Sequence, residues 1–401
     1  MRIGAGMAAT RTPGSVAPMR VLMLVWDFPP RAVGGIAAHV DGLSQGLAQA
    51  GHEVVLLTLA HPGAPADAAA GGIRVLRASA ELPWLPDDDL VARVASANHH
   101  LVKLSTRLEG WIPDIVHAHD WQVAWAADTL SALYSARLVA TFHASERGRH
   151  GGSLPPGEAS TIHAVESWLA HDAAAVVASS KFMVSEVVGG FELPVERSHL
   201  IPNGIDPTWW SDGQQDGPRP PLVFTWGRVQ YEKGFQVLAR AMSLLRSRVP
   251  GIECIIGGRG SYLPELQSQI DIDGVSDLIH LPGFLPDDRL RDTVHRAGCV
   301  AVPSLYEPFG IVALEALAGG APLVVARTGG LAELIDGTGA GLLFEPGNAD
   351  ELATCIEVVL TDRALADEMR TCGSALLAER YSWDAIAGAT AAVYAGHSSA
   401  S

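Results

Sequence analysis

Leu222-Val223-Phe224-Thr225-Trp226-Gly227-Arg228-Val229-Gln230-Tyr231-Glu232-Lys233-Gly234-Phe235 reads as a strand, a glycine-bracketed loop and the opening of a helix. An unbroken apolar run is what a strand covered on both faces needs, and glycine ends it. The pattern continues as a helix over residues 235–249 and a strand over residues 253–257, with further strands at 278–281, 300–302 and 322–325. Strands alternating with amphipathic helices predict a parallel sheet with helices on both faces.

The same rhythm occurs upstream. Strands are expected at 21–25, 53–57, 114–119 and 137–141, with a helix over 36–50. Between the halves, residues 201–221 are dense in Pro, Gly and Asp, as a linker is. A chain of 401 residues exceeds what one core usually serves. The expected architecture is therefore α/β, with two Rossmann-like domains: 19–205 after a loose tail at 1–18, and 222–382 after a linker at 206–221. Ligands of such sheets sit outside the carboxyl ends of the strands, so the cleft between the domains is the expected site.

Composition narrows the function. Apolar residues make up 48% of the chain and charged residues 18%, yet no apolar run approaches the ~18–20 residues that span a bilayer. The first 19 residues lack the apolar stretch of a signal peptide or membrane anchor, and Met19 is an alternative start. Cys254, Cys299, Cys355 and Cys372 lie far apart with no CxxC spacing, which fits reduced thiols in the cytoplasm. A net charge of −16 excludes a nucleic-acid or anionic-membrane surface as the expected partner. Only three of the 28 basic residues are lysines, the bias of a GC-rich genome. Lys233, kept inside a glycine-bracketed loop, is the lysine to examine.

Four stretches can carry chemistry. Gly34-Gly35 opens the first helix, where a phosphate can approach backbone N–H groups; a tight turn alone explains it equally well. Arg228 and Lys233 offer two fixed cations after a strand, suited to a diphosphate leaving group. In Pro303-Ser304-Leu305-Tyr306-Glu307-Pro308-Phe309-Gly310-Ile311-Val312-Ala313-Leu314-Glu315, a loop enters a helix. There the backbone near Phe309, Gly310 and Ile311 can meet phosphate or sugar, and the carboxylates of Glu307 and Glu315 can accept from vicinal hydroxyls. Finally His117-Ala118-His119-Asp120-Trp121 and Thr141-Phe142-His143-Ala144-Ser145-Glu146-Arg147 follow strands of the first half. His117 and His119 share a strand face, but no third ligand is spaced to join them in a metal site. Two acidic runs read as scaffolding: Asp271-Ile272-Asp273 as a loop and Asp87-Asp88-Asp89 as a solvated helix start.

Together the Gly pair, HAHDW at 117–121, Asn203-Gly204-Ile205-Asp206, the GRxxxxKG loop at 227–234 and the Glu-x7-Glu pair resemble the GT-B glycosyltransferases of family 4, nearest the glycogen- and starch-synthase-like branch. Tyr381-Ser382-Trp383 and the segment after it look like that family's last helix, which implies that residues 383–397 complete the first domain. The resemblance implies a retaining, metal-independent transfer from a nucleotide diphosphate sugar. Arg228 and Lys233 would bind the diphosphate, Glu307 the transferred sugar and Glu315 the ribose, with His119 near the anomeric centre. Gly34, Gly35, Asn203, Phe309, Gly310 and Ile311 complete the donor side, and His39, Asp120, His143 and Arg147 the acceptor side. No cofactor beyond the co-substrate is implied, and a monomer or homodimer is expected. Glycogen and starch synthases carry Lys two residues before the Gly pair, where this chain has Ala32. A small hydroxyl acceptor of secondary metabolism and an α-glucan both stay open on these residues. A GT-B-like epimerase or phosphorylase, or a non-catalytic homologue, ranks below them because the donor-loop charges are intact.

Overall fold

The computed structural model describes residues 16–30, 35–80, 85–86, 89–214 and 217–397. Ala32, Gly34, Asp87 and Asp88 lie outside them. Among the described residues, eight strands form one sheet in the order β3-β4-β2-β1-β5-β6-β7-β8. They are β1 (Arg20–Leu24), β2 (Glu53–Leu59), β3 (Asp67–Ala70), β4 (Ile73–Ala78), β5 (Ile115–His119), β6 (Arg137–Phe142), β7 (Ala175–Ala178) and β8 (Ser198–Leu200). Six more form the second, in the order β11-β10-β9-β12-β13-β14: β9 (Leu222–Trp226), β10 (Glu253–Gly257), β11 (Ile279–Gly283), β12 (Cys299–Val302), β13 (Leu323–Ala326) and β14 (Leu342–Phe344). All pairings are parallel except β3 with β4.

The central strands are buried on both faces, which is why their sequences are unbroken apolar runs. Val21, Leu22, Met23 and Leu24 are fully buried, and so are Val223 and Phe224. Alternate residues of β1 feed two cores: Leu22 and Leu24 pack with Leu57 and Val116, and Val21 and Met23 with Val40 and Leu43. In each sheet the chain starts in the middle and winds outward both ways. The order reverses between β1 and β5 in the first sheet and between β9 and β12 in the second. Loops leaving adjacent strands at such a reversal part to opposite faces and open a crevice.

Several expected boundaries move. The helix expected over 235–249 is Phe235–Leu245, and the strand expected at 278–281 is Ile279–Gly283. Asp271-Ile272-Asp273 is no loop: the first two residues end the helix Leu263–Ile272 and Asp273 caps it. Its carboxylates serve the scaffold, Asp273 Oδ1 accepting from Arg240 and Asp271 Oδ1 from Ser276. Asp89 is a helix N-cap, its carboxylate accepting from the Ala92 N–H. Residues 206–221 are more than a tether. Asp206 caps the short helix Pro207–Ser211, whose Trp210 is buried against Trp226 of the second core.

The helix Trp383–Tyr394 leaves the second sheet's core and packs on the helix Gly35–Gln49. Its Ile386, Ala387, Val393 and Tyr394 join the cluster of Val21, Met23 and Val40. Tyr394 Oη lies 2.7 Å from His117 Nδ1, while His117 Nε2 lies 2.7 Å from Thr141 Oγ1. This histidine is fully occupied as scaffold.

Candidate active site

Loops leaving β1, β5 and β6 on one side and β9 and β12 on the other line a shared cleft of about 280 Å³. The two points of strand-order reversal thus face each other. The wall from the second sheet starts at Gly227, where β9 ends, and turns through Tyr231–Lys233 to Gly234. Gly234 has φ +68°, and a Cβ there would stand 1.8 Å from the Pro303 carbonyl oxygen, so only glycine permits this loop to lie against the one after β12. The approach delivers Lys233 Nζ to Glu307 Oε2 at 2.7 Å, and Ser304 Oγ donates to the same oxygen at 3.0 Å.

Arg228 lies half-buried at the same wall. Burial first, and the nearby Arg149 charge second, pull its guanidinium pKa down from the ordinary value. Glu232 stands between the two guanidiniums, 3.7 Å from Arg149 and 4.0 Å from Arg228. The cleft lining thus holds three cations, Arg149, Arg228 and Lys233, beside the carboxylates of Asp27, Asp120, Glu232 and Glu307, and the cations give an incoming anion fixed positive charge to meet. Phe309, Gly310 and Ile311 line it too, at the N-terminus of the helix Ile311–Ala318.

The opposite wall is made by imidazoles. His119 ends β5, His143 follows β6, and His39 lies beneath them on the helix Gly35–Gln49. His119 Nδ1 and His143 Nε2 are 3.2 Å apart, and the His39 ring centroid stands 4.9 Å from that of His143. Burial holds all three rings neutral: it lowers His143 to about 4 and puts His39 and His119 well below the usual imidazole value. Asp120 has φ +63°, and its Oδ1 accepts from the His143 N–H at 2.7 Å. Burial raises its pKa to about 6 against that hydrogen bond and the Arg149 and Arg228 charges. Asn203 lines the cleft with Oδ1 buried and without a protein partner.

The two walls touch. Tyr306 Oη donates to Glu186 Oε2 at 2.7 Å and accepts weakly from the Ser145 N–H at 3.4 Å. Ser180 Oγ donates to the Pro308 carbonyl at 2.6 Å. Glu333 accepts from the Lys181 and Phe182 N–H groups, at 2.8 and 2.6 Å, and so caps the helix Lys181–Phe191 from the other side of the cleft. Gly35 faces Ile311 so closely that a Cβ would lie 2.4 Å from Ile311 Cδ1.

Residues 33–209 match the family model described as Glycosyltransferase Family 4, and residues 211–375 the one described as Glycosyl transferases group 1. The chain belongs to this glycosyltransferase family. The glycosyltransferase is 35% identical to the Glycogen synthase of Mycobacterium tuberculosis, covering 94% of each chain. It is 30% identical to the D-inositol 3-phosphate glycosyltransferase of Xylanimonas cellulosilytica, covering 97% of this chain and 98% of that one. Its fold matches that of the sucrose-phosphate synthase of Thermosynechococcus elongatus with a TM-score of 0.80 at 22% identity, over 94% and 98% of the two chains. The fold is thus GT-B. Among the described residues, no helix is long and apolar enough to cross a membrane.

The cleft of the glycosyltransferase gathers Gly35, His119, Asp120, His143, Asn203, Arg228, Lys233, Glu307, Phe309, Gly310 and Ile311 from the residues singled out in the sequence. Three others fall outside its lining. Glu315 points behind the wall, where Oε2 accepts from Trp226 Nε1 at 3.0 Å and burial raises its pKa to about 7. His39 is beneath the lining, in contact with His119 and His143. Arg147 is exposed and donates through Nε to the Gly152 carbonyl. Arg149 takes the cleft position instead. Tyr306 and Glu232 were also missed; both lie inside motifs already quoted, and only the fold shows them facing the cavity. Of the two histidines considered on β5, only His119 joins a cluster of three rings; His39 and His143 come from other segments.

Proposed function

We propose that this glycosyltransferase moves a hexose or related sugar from a nucleoside diphosphate sugar to a carbohydrate or cyclitol hydroxyl, with retention at the anomeric carbon. The observation that carries this reading is the placement of Arg228 and Lys233 directly across one cleft from His119. Two fixed cations stabilise the diphosphate as the glycosidic bond breaks, work that needs no proton and no metal of its own. Glu307, held by Lys233 and Ser304, presents a carboxylate oriented toward sugar hydroxyls. His119 stands where oxocarbenium character develops, its ring neutral, so it adds no positive charge beside the nascent cation. Of the lining carboxylates other than Asp27, Glu307 and Glu232 face cations, and Asp120 is tied to the His143 N–H. This supports front-face departure, with the leaving phosphate oxygen taking the acceptor proton and the acceptor oxygen bonding to the same face of the sugar.

The relatives' names favour a sugar or cyclitol acceptor and give no support to a secondary-metabolite one. Elongation of an α-glucan is a second reading, favoured by the 35% identity to a protein named glycogen synthase. Two measurements test the proposal. Thermal shifts with UDP, ADP, GDP and dTDP identify the base, because a ligand of the folded state raises the melting temperature. Turnover of the matching sugar nucleotide, with glucan, hexose phosphates and inositol phosphate offered in parallel, then identifies the acceptor, and NMR of the product reads its anomeric configuration. No nucleotide shift together with no turnover overturns the proposal; an inverted product overturns retention alone.

A further inference from the structure

The three imidazoles at the cleft floor are arranged for more than packing. One nitrogen from each of His39, His119 and His143 can be chosen so that all three lie within 4.8 Å of one another. Ligands bound about 2.0–2.1 Å from a tetrahedral zinc ion stand about 3.3–3.4 Å apart, and His119 Nδ1 to His143 Nε2 is already 3.2 Å. A second observation is independent of this spacing. His39 is 5% exposed and His119 1%, and each keeps a ring nitrogen, Nδ1 and Nε2 respectively, with no protein partner. Buried polar atoms are ordinarily paired, so the orphaned His39 Nδ1 marks a place that accepts a ligand, whereas the His119 orphan, Nε2, lies on the side of its ring away from the Nδ1 that faces His143. Burial keeps the rings neutral, the state in which imidazole binds a metal. Three neutral imidazoles suit zinc and the neighbouring late first-row divalent ions rather than magnesium or calcium, which require oxygen.

We propose that His39, His119 and His143 form a binding site for a zinc-class divalent cation at the floor of the cleft, and that the cation, where bound, blocks sugar transfer reversibly. His119 and His143 line the cleft, so an ion reaches the trio from the space the sugar would use. The ion acts as an inhibitor competing for that space, and the transfer step itself uses only the chain's cations. The inhibitory half rests on the function proposed above; the binding half does not.

The test begins with the full chain stripped by EDTA and titrated with Co²⁺, then with Zn²⁺ against a chromophoric chelator. One equivalent should bind, with a visible cobalt spectrum of tetrahedral intensity that zinc abolishes. His143→Gln and His39→Asn should each weaken zinc binding about 100-fold, at the upper end of what even a supporting residue contributes to a metal site. His150→Gln, an exposed histidine on the same side, should leave it unchanged. Unaltered affinity in both cleft variants, or a weak octahedral cobalt spectrum in the parent, overturns the site. Circular dichroism reports folding, and if His39→Asn unfolds, the half-buried His143 variant decides. Zinc should also suppress turnover of the parent, with recovery on adding EDTA. Binding without suppression overturns the inhibitory half alone, whereas failure of the zinc-free parent to turn over any sugar nucleotide counts against the proposed function and leaves the binding result readable.

Discussion

Replacing Lys233 by Met separates the two jobs that one side chain does. The parent holds Nζ 2.7 Å from Glu307 Oε2, with side chains 20% and 11% exposed. Breaking a fully buried pair costs about 3–5 kcal/mol and an exposed one about 0–1, so this largely buried pair should cost about 2–3 kcal/mol. Ser304 still donates to the stranded carboxylate, which keeps the figure at that level. For a unit of about 150–250 residues that is a fall of roughly 5–10 °C in Tm. Activity should fall further, by about 10²–10³ in kcat, the typical loss on removing one group that stabilises developing charge. The double variant Lys233→Met/Glu307→Gln has no stranded charge and should recover most of the Tm without recovering turnover. Calorimetry and initial rates with the identified sugar nucleotide read the two effects separately. Equal turnover by Lys233→Met and parent would refute the donor role, and rescue of turnover by the double variant would show that the lysine serves only to neutralise Glu307.

Other consequences are equally direct. Gly234→Ala should destabilise the chain by at least about 3 kcal/mol in guanidinium unfolding, since the strained φ adds to a contact with backbone that cannot swing aside; a loss under 1 kcal/mol would refute it. Buried Glu166, which accepts from the Glu146 N–H, has its pKa raised to about 8 by desolvation. Between pH 4.5 and 8 the unfolded chain releases this proton and the folded chain keeps it, so stability falls as pH rises through that window. Glu166→Gln should remove that slope and be a few kcal/mol more stable relative to the parent at pH 8 than at pH 5; parallel urea curves at the two pH values would contradict this. Glu333→Ala removes the cap that spans the cleft and should raise the donor KM about fivefold, for loss of about 1 kcal/mol of closure, with little change in Tm. An unchanged KM would show that the contact does not hold the walls together.

The strands that build the cleft were legible because burial on both faces leaves an unmistakable apolar run, as in Leu222–Trp226. The edges were not. β3 is Asp67–Ala70, largely exposed, and β8 and β14 are three residues each, too short to show a period. The wall from the second sheet was legible because its residues are close in sequence: Arg228 and Lys233 share one loop, and Glu307 follows one strand. The packing of Glu315 was not legible because helix phase, fixed by a start at Ile311, turns it under Trp226. Arg147 was chosen over Arg149 because a loop reading cannot see the single turn Glu146–Arg149, capped by Ser145, that swings the later arginine inward. The imidazole trio was hidden for a different reason: its members come from three segments, and nothing local records that β5, β6 and the first helix meet.

The final helix has a consequence for how the molecule is made. Part of the cluster around Val21, Met23 and Val40 is supplied by Ile386, Ala387 and Tyr394, so the first domain lacks a wall until residues beyond 383 have been synthesised. Through translation of the whole second half, the helix Gly35–Gln49 waits with an apolar flank that Trp383 will eventually cover, wedged against Gly42 and Gly204. The second domain, whose core draws on residues from Ile205 to Tyr381, can close before that. Order of synthesis and order of completion are therefore reversed. A nascent chain arrested before residue 383 would present a finished second domain beside a first domain whose apolar flank is still open.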